Sequence, residues 1–195
     1  MLKFQQKRNI EKNKYHRVGC RLNLPPILFF YRGGIPIKIL CLDQSTKATG
    51  FSVFDNRKLV DYGLLEANTK EPTIERMRIM REKIDNLIEQ MQPDFVVFEN
   101  IQLQGGVNTF QILAQLQGLI IGILYKFDLP FIIVEPSSWK SFCGIKGKKR
   151  AEQKENTKIF VINEFGIQAS EDECDAIGIG VWAINNISEE TDVCI

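Results

Sequence analysis

The sequence predicts an α/β fold: a mixed five-stranded sheet, its first three strands an antiparallel meander, with helices on both faces. Three observations predict it. Between residues 37 and 65 three apolar runs follow one another with only turn signals between them. After residue 72, stretches of helical period alternate with short apolar runs. The composition, 44% hydrophobic and 25% charged over 195 residues, is that of an ordinary globular chain able to bury one sizeable core.

The elements follow in order. "IKILCL" (37–42) reads as a buried strand, with Gly33, Gly34 and Pro36 marking the boundary before it. "TGFSVFD" (49–55) and "RKLVDYGLL" (57–65) read as two more, joined by a hairpin turn at Asp55-Asn56. Pro72 suits the first turn of a helix over 72–91. Within it Ile74, Met77, Met80, Ile84, Leu87, Ile88 and Met91 recur at spacings of three and four, and Arg76, Arg78, Arg81, Glu82 and Lys83 fall mostly on the other side. "DFVVFE" (94–99) is the fourth strand and "GGVNT" (105–109) a loop. Residues 110–127 form a second helix, apolar almost all round, which predicts burial against the sheet on one side and a partner chain, hence a homodimer, on the other. Gln111, Gln115, Gln117 and Lys126 argue against a membrane span. "PFIIVE" (130–135) is the fifth strand, "SFCGIKGKKR" (141–150) a basic loop, and 151–165 a third helix. In "SEDECDAIGIGVWAIN" (170–185), Ser170 and Glu173 have the form of a capping box that starts the last helix. Right-handed crossovers place strand four beside strand one.

Outside residues 37–187 the sequence changes character. Residues 1–36 carry a net +7, against −6 for the remainder, and read as a poorly ordered basic extension; 188–195 read as a polar tail. Five cysteines without a C-x-x-C pair predict neither zinc nor a disulfide framework, and point to a cytoplasmic, reducing setting. His16, the only histidine, lies in the basic extension, which argues against Ser-His-Asp and Cys-His mechanisms.

The chemistry points to carboxylates. Asp43 ends the first strand and Glu99 the fourth; if those strands are adjacent and parallel, both side chains leave the same end of the sheet. Asp172 and Asp175 are three apart and share a helix face. Singly, each reads as readily as a solvated strand end or a first-turn acid. Together they repel by several kcal/mol, on the order of 332/(εr) at intermediate ε, unless a cation sits among them. Oxygen ligands without His or Cys suit Mg²⁺ or Mn²⁺, and two such ions about 4 Å apart form the clamp used for in-line attack on a phosphodiester.

"LDQSTKATGFSVFD" (42–55), "VVFEN" (96–100), "GIKGKKR" (144–150) and "DECDAIGIGVWA" (172–183) stand in an order and spacing that resembles the RuvC-like Holliday junction resolvases of the RNase H-like superfamily, the small phage and bacterial type above all. The resemblance covers about 37–187. It implies that Asp43, Glu99, Asp172 and Asp175 are four metal-binding acids, and that the chain is a homodimer nicking four-way junctions symmetrically with Mg²⁺. One feature departs from the family: the aromatic residue common shortly after the strand-four Glu is missing from "NIQLQGG", and the first aromatic after it is Phe110.

Lys146, Lys148, Lys149 and Arg150 are expected to contact phosphates. Gln102, Gln104 and Asn108 are expected to reach bases or sugars, with Gly105 and Gly106 allowing close backbone approach. Trp139 and Trp182 are read as packing residues, and Ser45 and Thr46 as turn residues. Three other functions compete. "DQSTKATG" also resembles the first phosphate loop of actin-like ATPases and sugar kinases, but the chain lacks a duplicated half and a glycine-rich last motif. A catalytically silent binding module is the second. The third is a nuclease on the same core that cuts flaps, three-way junctions or RNA–DNA hybrids, since fold and acids do not fix substrate.

Overall fold

The computed structural model describes residues 37–103 and 106–187; the basic extension, the polar tail, Gln104 and Gly105 lie outside the described residues. Five strands form one sheet: β1 (Lys38–Asp43), β2 (Ala48–Asp55), β3 (Lys58–Glu66), β4 (Phe95–Glu99) and β5 (Phe131–Val134). Their order is β3-β2-β1-β4-β5. β1, β2 and β3 pair antiparallel, and β4 and β5 are added in parallel on the other side of β1. The expected meander and the expected neighbour of strand one are both present.

The hairpin turn between β2 and β3 is Asn56-Arg57, one residue later than predicted. Both residues have positive φ, 49° and 65°. A two-residue loop of that hand matches the right-handed twist of its strands.

Among the described residues five helices cover the sheet: α1 (Thr73–Met91), α2 (Val107–Lys126), α3 (Pro136–Phe142), α4 (Arg150–Phe165) and α5 (Glu171–Asn186). Two differ from expectation. α3 occupies a stretch to which the sequence assigns no element and runs into the expected basic loop, with Pro136 at its start, where a missing N–H costs nothing. α2 begins at Val107 rather than 110, so Asn108 and Thr109 are helical and not loop residues.

Strand periodicity decides which helix goes where. Leu40 and Leu42 face α1 and α2 and pack with Met80, Ile84, Leu116, Ile120 and Leu124. Ile39 and Cys41, one step out of phase, face the other way and pack with Trp139 of α3 and Ile179 and Ala183 of α5. β4 repeats the pattern, with Val96 and Phe98 on the first side and Phe95 and Val97 on the second. The two central strands are thus buried on both faces, and each such side chain contributes roughly 1.5–3 kcal/mol of transfer free energy.

α2 alone among the described helices is long and apolar enough to cross a membrane, at mean hydropathy 1.5. Its inner face belongs to the core through Leu116, Ile120, Ile123 and Leu124. Its outer face leaves Val107 62%, Leu119 37% and Tyr125 56% exposed.

A candidate acid-floored groove at one sheet end

The groove is built from the ends of β1 and β4. Leu42 stands opposite Phe98 in the parallel register, so the next residues, Asp43 and Glu99, emerge side by side. Gln44 ties the two strand ends together: its Nε2 donates to the Glu99 carbonyl at 2.5 Å. The turn that follows is held by its own hydroxyls. Ser45 N–H donates to Thr49 Oγ1 at 3.1 Å, Thr49 Oγ1 donates to Ser45 O at 2.9 Å, and Lys47 N–H donates to Ser45 Oγ at 3.2 Å. Ser45 serves the turn, as expected.

α5 delivers the other two acids. Its start is a complete capping box: Ser170 Oγ accepts from Glu173 N–H at 3.3 Å, and Glu173 Oε2 accepts from Ser170 N–H at 2.8 Å. That sets Asp172 in the first turn and Asp175 in the second. The helix is drawn onto the sheet by close contacts. Ser52 Oγ donates to Ala176 O at 2.7 Å. Gly50, the register partner of Asp43, lies directly under the Asp172 backbone: a Cβ there would stand 1.9 Å from the Asp172 carbonyl oxygen. The approach of α5 therefore requires a glycine at the end of "DQSTKATG" (43–50). At Gly178 a Cβ would meet the Trp139 ring at 2.6 Å.

The electrostatics record the convergence. Burial, and after it Glu99, Asp175 and Asp172, push the Asp43 carboxyl well above its ordinary range. Burial also raises Glu99, countered by the Trp139 hydrogen bond and by Lys140. Burial raises Asp175, countered chiefly by Lys140 and Lys154. Asp175 is 9% exposed and its Oδ1 is buried without a hydrogen-bond donor. Lys154 reaches Glu171 at 2.7 Å and Asp172 at 3.7 Å. Burial works against the Lys154 charge, yet Glu171, Asp172 and Asp175 hold its pKa above the usual lysine value.

These residues suit a hard divalent cation. They are oxygen donors only, mutually repulsive, and one oxygen is buried without a proton to accept. The acids are neighbours rather than a finished cage: among the described residues no three acidic, His or Cys side chains already stand in metal-binding geometry.

Asp43, Glu99 and Asp175 line one open groove of about 1000 Å³, and Asp172 flanks it through Lys154. Of the residues expected to contact DNA, Lys146, Lys148, Arg150 and Gln102 line the groove. Lys149 and Asn108 are exposed but do not line it, and Gln104 lies outside the described residues. The basic segment is a shaped element. Lys148 N–H donates to Glu152 Oε2 at 3.0 Å, Gln153 Nε2 to Gly147 O at 2.9 Å, and Asn156 Nδ2 to Lys146 O at 2.6 Å, which fastens it to α4.

Sequence reasoning missed several groove residues. Gln44, Arg76, Lys140 and Lys154 all line it. The helical period puts Arg76 on the outer side of α1, whereas its guanidinium folds back to Glu71 O at 2.6 Å and Thr73 Oγ1 at 3.1 Å beside the groove. Trp139 is fully buried, as a packing residue should be, but its Nε1 also donates to Glu99 Oε1 at 2.8 Å. Only its apolar bulk was legible in the sequence.

Antiparallel meander, parallel addition and strand-end acids define a domain of the RNase H-like class. Within that class the chain belongs to the RuvC family: the family model described as crossover junction endodeoxyribonuclease RuvC matches residues 39–182. Among curated relatives, the crossover junction endodeoxyribonuclease RuvC of Fusobacterium nucleatum is 25% identical over 162 residues, covering 79% of this chain and 83% of that protein. The protein of the same name from Synechocystis sp. is 26% identical over 165 residues, covering 77% and 93%. Among solved structures, T. thermophilus RuvC in complex with Holliday junction substrate superposes with a TM-score of 0.63 at 14% identity, covering 76% of this chain and 92% of that one. The yeast mitochondrial Holliday junction resolvase gives 0.51 at 15% identity, covering 74% and 76%. These superpositions bear on the fold.

Proposed function

We propose that the chain is a metal-dependent endonuclease that resolves four-way DNA junctions by paired, symmetric nicks. One observation carries the reading. The β1–β4 register sets Asp43 beside Glu99, and α5 brings Asp175 and Asp172 to the same end of the sheet, in a groove rimmed by Lys140, Lys146, Lys148 and Arg150. Family membership supports the substrate class.

In this reading Asp43, Glu99, Asp172 and Asp175 hold two Mg²⁺ ions, or Mn²⁺. Bound there, divalent ions supply the positive charge that makes water a better nucleophile and the 3′ oxygen a better leaving group. The chain's residues do the rest. Gln44 and Trp139 fix the Glu99 backbone and side chain. Lys146, Lys148 and Arg150 seat the flanking phosphates, and the rigid fastening of their segment to α4 limits the entropy lost on binding. Gln102, which also lines the groove, reaches bases or sugars. A dimer formed through the outer face of α2 would pair two such grooves for two nicks.

The test is a panel of labelled four-way, three-way, flap, linear and RNA–DNA hybrid substrates, incubated with Mg²⁺ and with EDTA. Paired symmetric nicks confined to the four-way junction, and lost in EDTA, are expected. Preferential cutting of another substrate would assign the same site to a different nuclease. Asp43→Asn and Glu99→Gln should abolish cleavage and retain junction binding; full nicking by either would remove that residue from the site.

A further inference from the structure

From the Trp139–Glu99 contact we infer that Trp139 is a positioning residue for the metal site: its indole N–H holds Glu99 Oε1 so that the other carboxylate oxygen is presented to a divalent cation. The inference rests on the reading of Glu99 as a ligand and adds to it a residue that itself touches neither metal nor DNA.

The geometry is specific. Glu99 is the last residue of β4, where a side chain ordinarily has rotamer freedom. Here the backbone and the side chain are each held. Gln44 Nε2 holds the Glu99 backbone carbonyl, and Trp139 Nε1 holds one carboxylate oxygen at 2.8 Å. Trp139 cannot follow a moving carboxylate, because its ring is completely buried. Gly178 of α5 seats the ring so closely that a Cβ would stand 2.6 Å from it. The remaining wall is the core cluster of Ile39, Val97, Val134 and Ile179. The indole N–H is a single donor with no acceptor capacity, so it fixes one oxygen and leaves the other without competition. A partner of this kind behind a metal ligand sets the ligand's orientation, and its loss typically weakens metal binding by about 10–100-fold.

Two measurements test this in the full-length protein. Trp139 and Trp182 are the only tryptophans, so the indole N–H region of a nitrogen–proton correlation spectrum holds two resonances, assigned with Trp182→Phe. The Trp139 resonance should lie downfield, move saturably as Mg²⁺ is added, and lose both properties in Glu99→Ala. Trp139→Phe keeps most of the ring and removes the N–H. It should raise the Mg²⁺ concentration for half-maximal junction cleavage about tenfold or more, the scale of a lost ligand partner. Cleavage at saturating Mg²⁺ should largely recover, and junction affinity in EDTA should be unchanged. A residue that only packs would lower the fraction folded without moving the Mg²⁺ dependence.

An unchanged Mg²⁺ half-point in folded Trp139→Phe overturns the inference. So does a Trp139 resonance that ignores both Mg²⁺ and Glu99→Ala, which is read on the native tryptophan should the variant not fold. Either result leaves Glu99 as a ligand untouched if Glu99→Gln is inactive. An active Glu99→Gln would instead bring down the ligand assignment itself.

Discussion

Asp43 is a carboxylate among carboxylates, and burial with three acidic neighbours pushes its pKa well above the ordinary value. A raised folded-state pKa has a definite sign. Below the ordinary carboxylate range, about pH 3.9, the group is neutral folded or unfolded and carries no penalty. As pH climbs toward and through the raised value, the unfolded chain ionises more readily than the folded one, and stability is lost. In EDTA, wild-type protein should therefore melt lower at pH 8 than at pH 5 by more than Asp43→Asn does. The variant should gain about 2–6 °C over wild type at pH 8, the shift that roughly 1–2 kcal/mol gives a domain of this size. Saturating Mg²⁺ should return that difference to the wild type and give the variant little. Thermal melts at two pH values, with and without Mg²⁺, read all of this. Equal melting of the two proteins in EDTA at pH 8 would mean that Asp43 feels no crowding.

At the scale of elements, the position of α5 decides how near Asp172 and Asp175 come to Asp43 and Glu99 in the proposed site. The capping box fixes where the helix starts, and Gly50 fixes how near that start comes to β2. Gly50→Ala puts a methyl where the Asp172 carbonyl oxygen stands, so α5 must lift at its N-terminus. A displacement of about 1 Å at a catalytic group costs on the order of 100-fold in rate. Cleavage at saturating Mg²⁺ should fall by that factor or more, while junction binding in EDTA persists. Wild-type rates from Gly50→Ala would separate the approach of α5 from the chemistry. Such contacts mark what a sequence hides. The capping box was legible because both its partners lie within three residues, and the β1–β4 adjacency because crossover handedness leaves few alternatives. α3 was not legible: seven residues complete too few turns for a period to show. The start of α2 was not, because Gly106 caps it without a side-chain acceptor and "GGVNT" has the composition of a loop. Trp139 was half legible. Its burial follows from its chemistry, whereas its partner Glu99 lies 40 residues away and is reached only through the tertiary fold.

At the scale of the whole molecule, the outer face of α2 is an exposed stripe on which the proposed dimer can be tested. Gln111, Gln115, Gly118, Gly122 and Tyr125 succeed one another at spacings of three and four, all exposed, with Leu119 beside them. Gly118 and Gly122 have open space where a Cβ would be, with nothing within 4 Å. A second backbone can therefore approach closely at mid-helix, while Leu119 and Tyr125, exposed at 37% and 56%, supply apolar area on the flanks. Two-fold pairing of this stripe is self-complementary, since the same patch serves both chains. It would also match the two cuts a four-way junction needs. We expect sedimentation to show a dimer at micromolar protein without DNA. Leu119→Arg, pointing outward and far from the acids in sequence, should give a folded monomer, because a buried unpaired charge at the seam costs several kcal/mol. That monomer should lose the pairing of nicks: singly cut junctions should accumulate where the wild type yields resolved duplexes. Wild-type protein that sediments as a monomer at that concentration would reject α2 as the seam, and paired nicks from a monomeric Leu119→Arg would reject the link between pairing and symmetric cleavage.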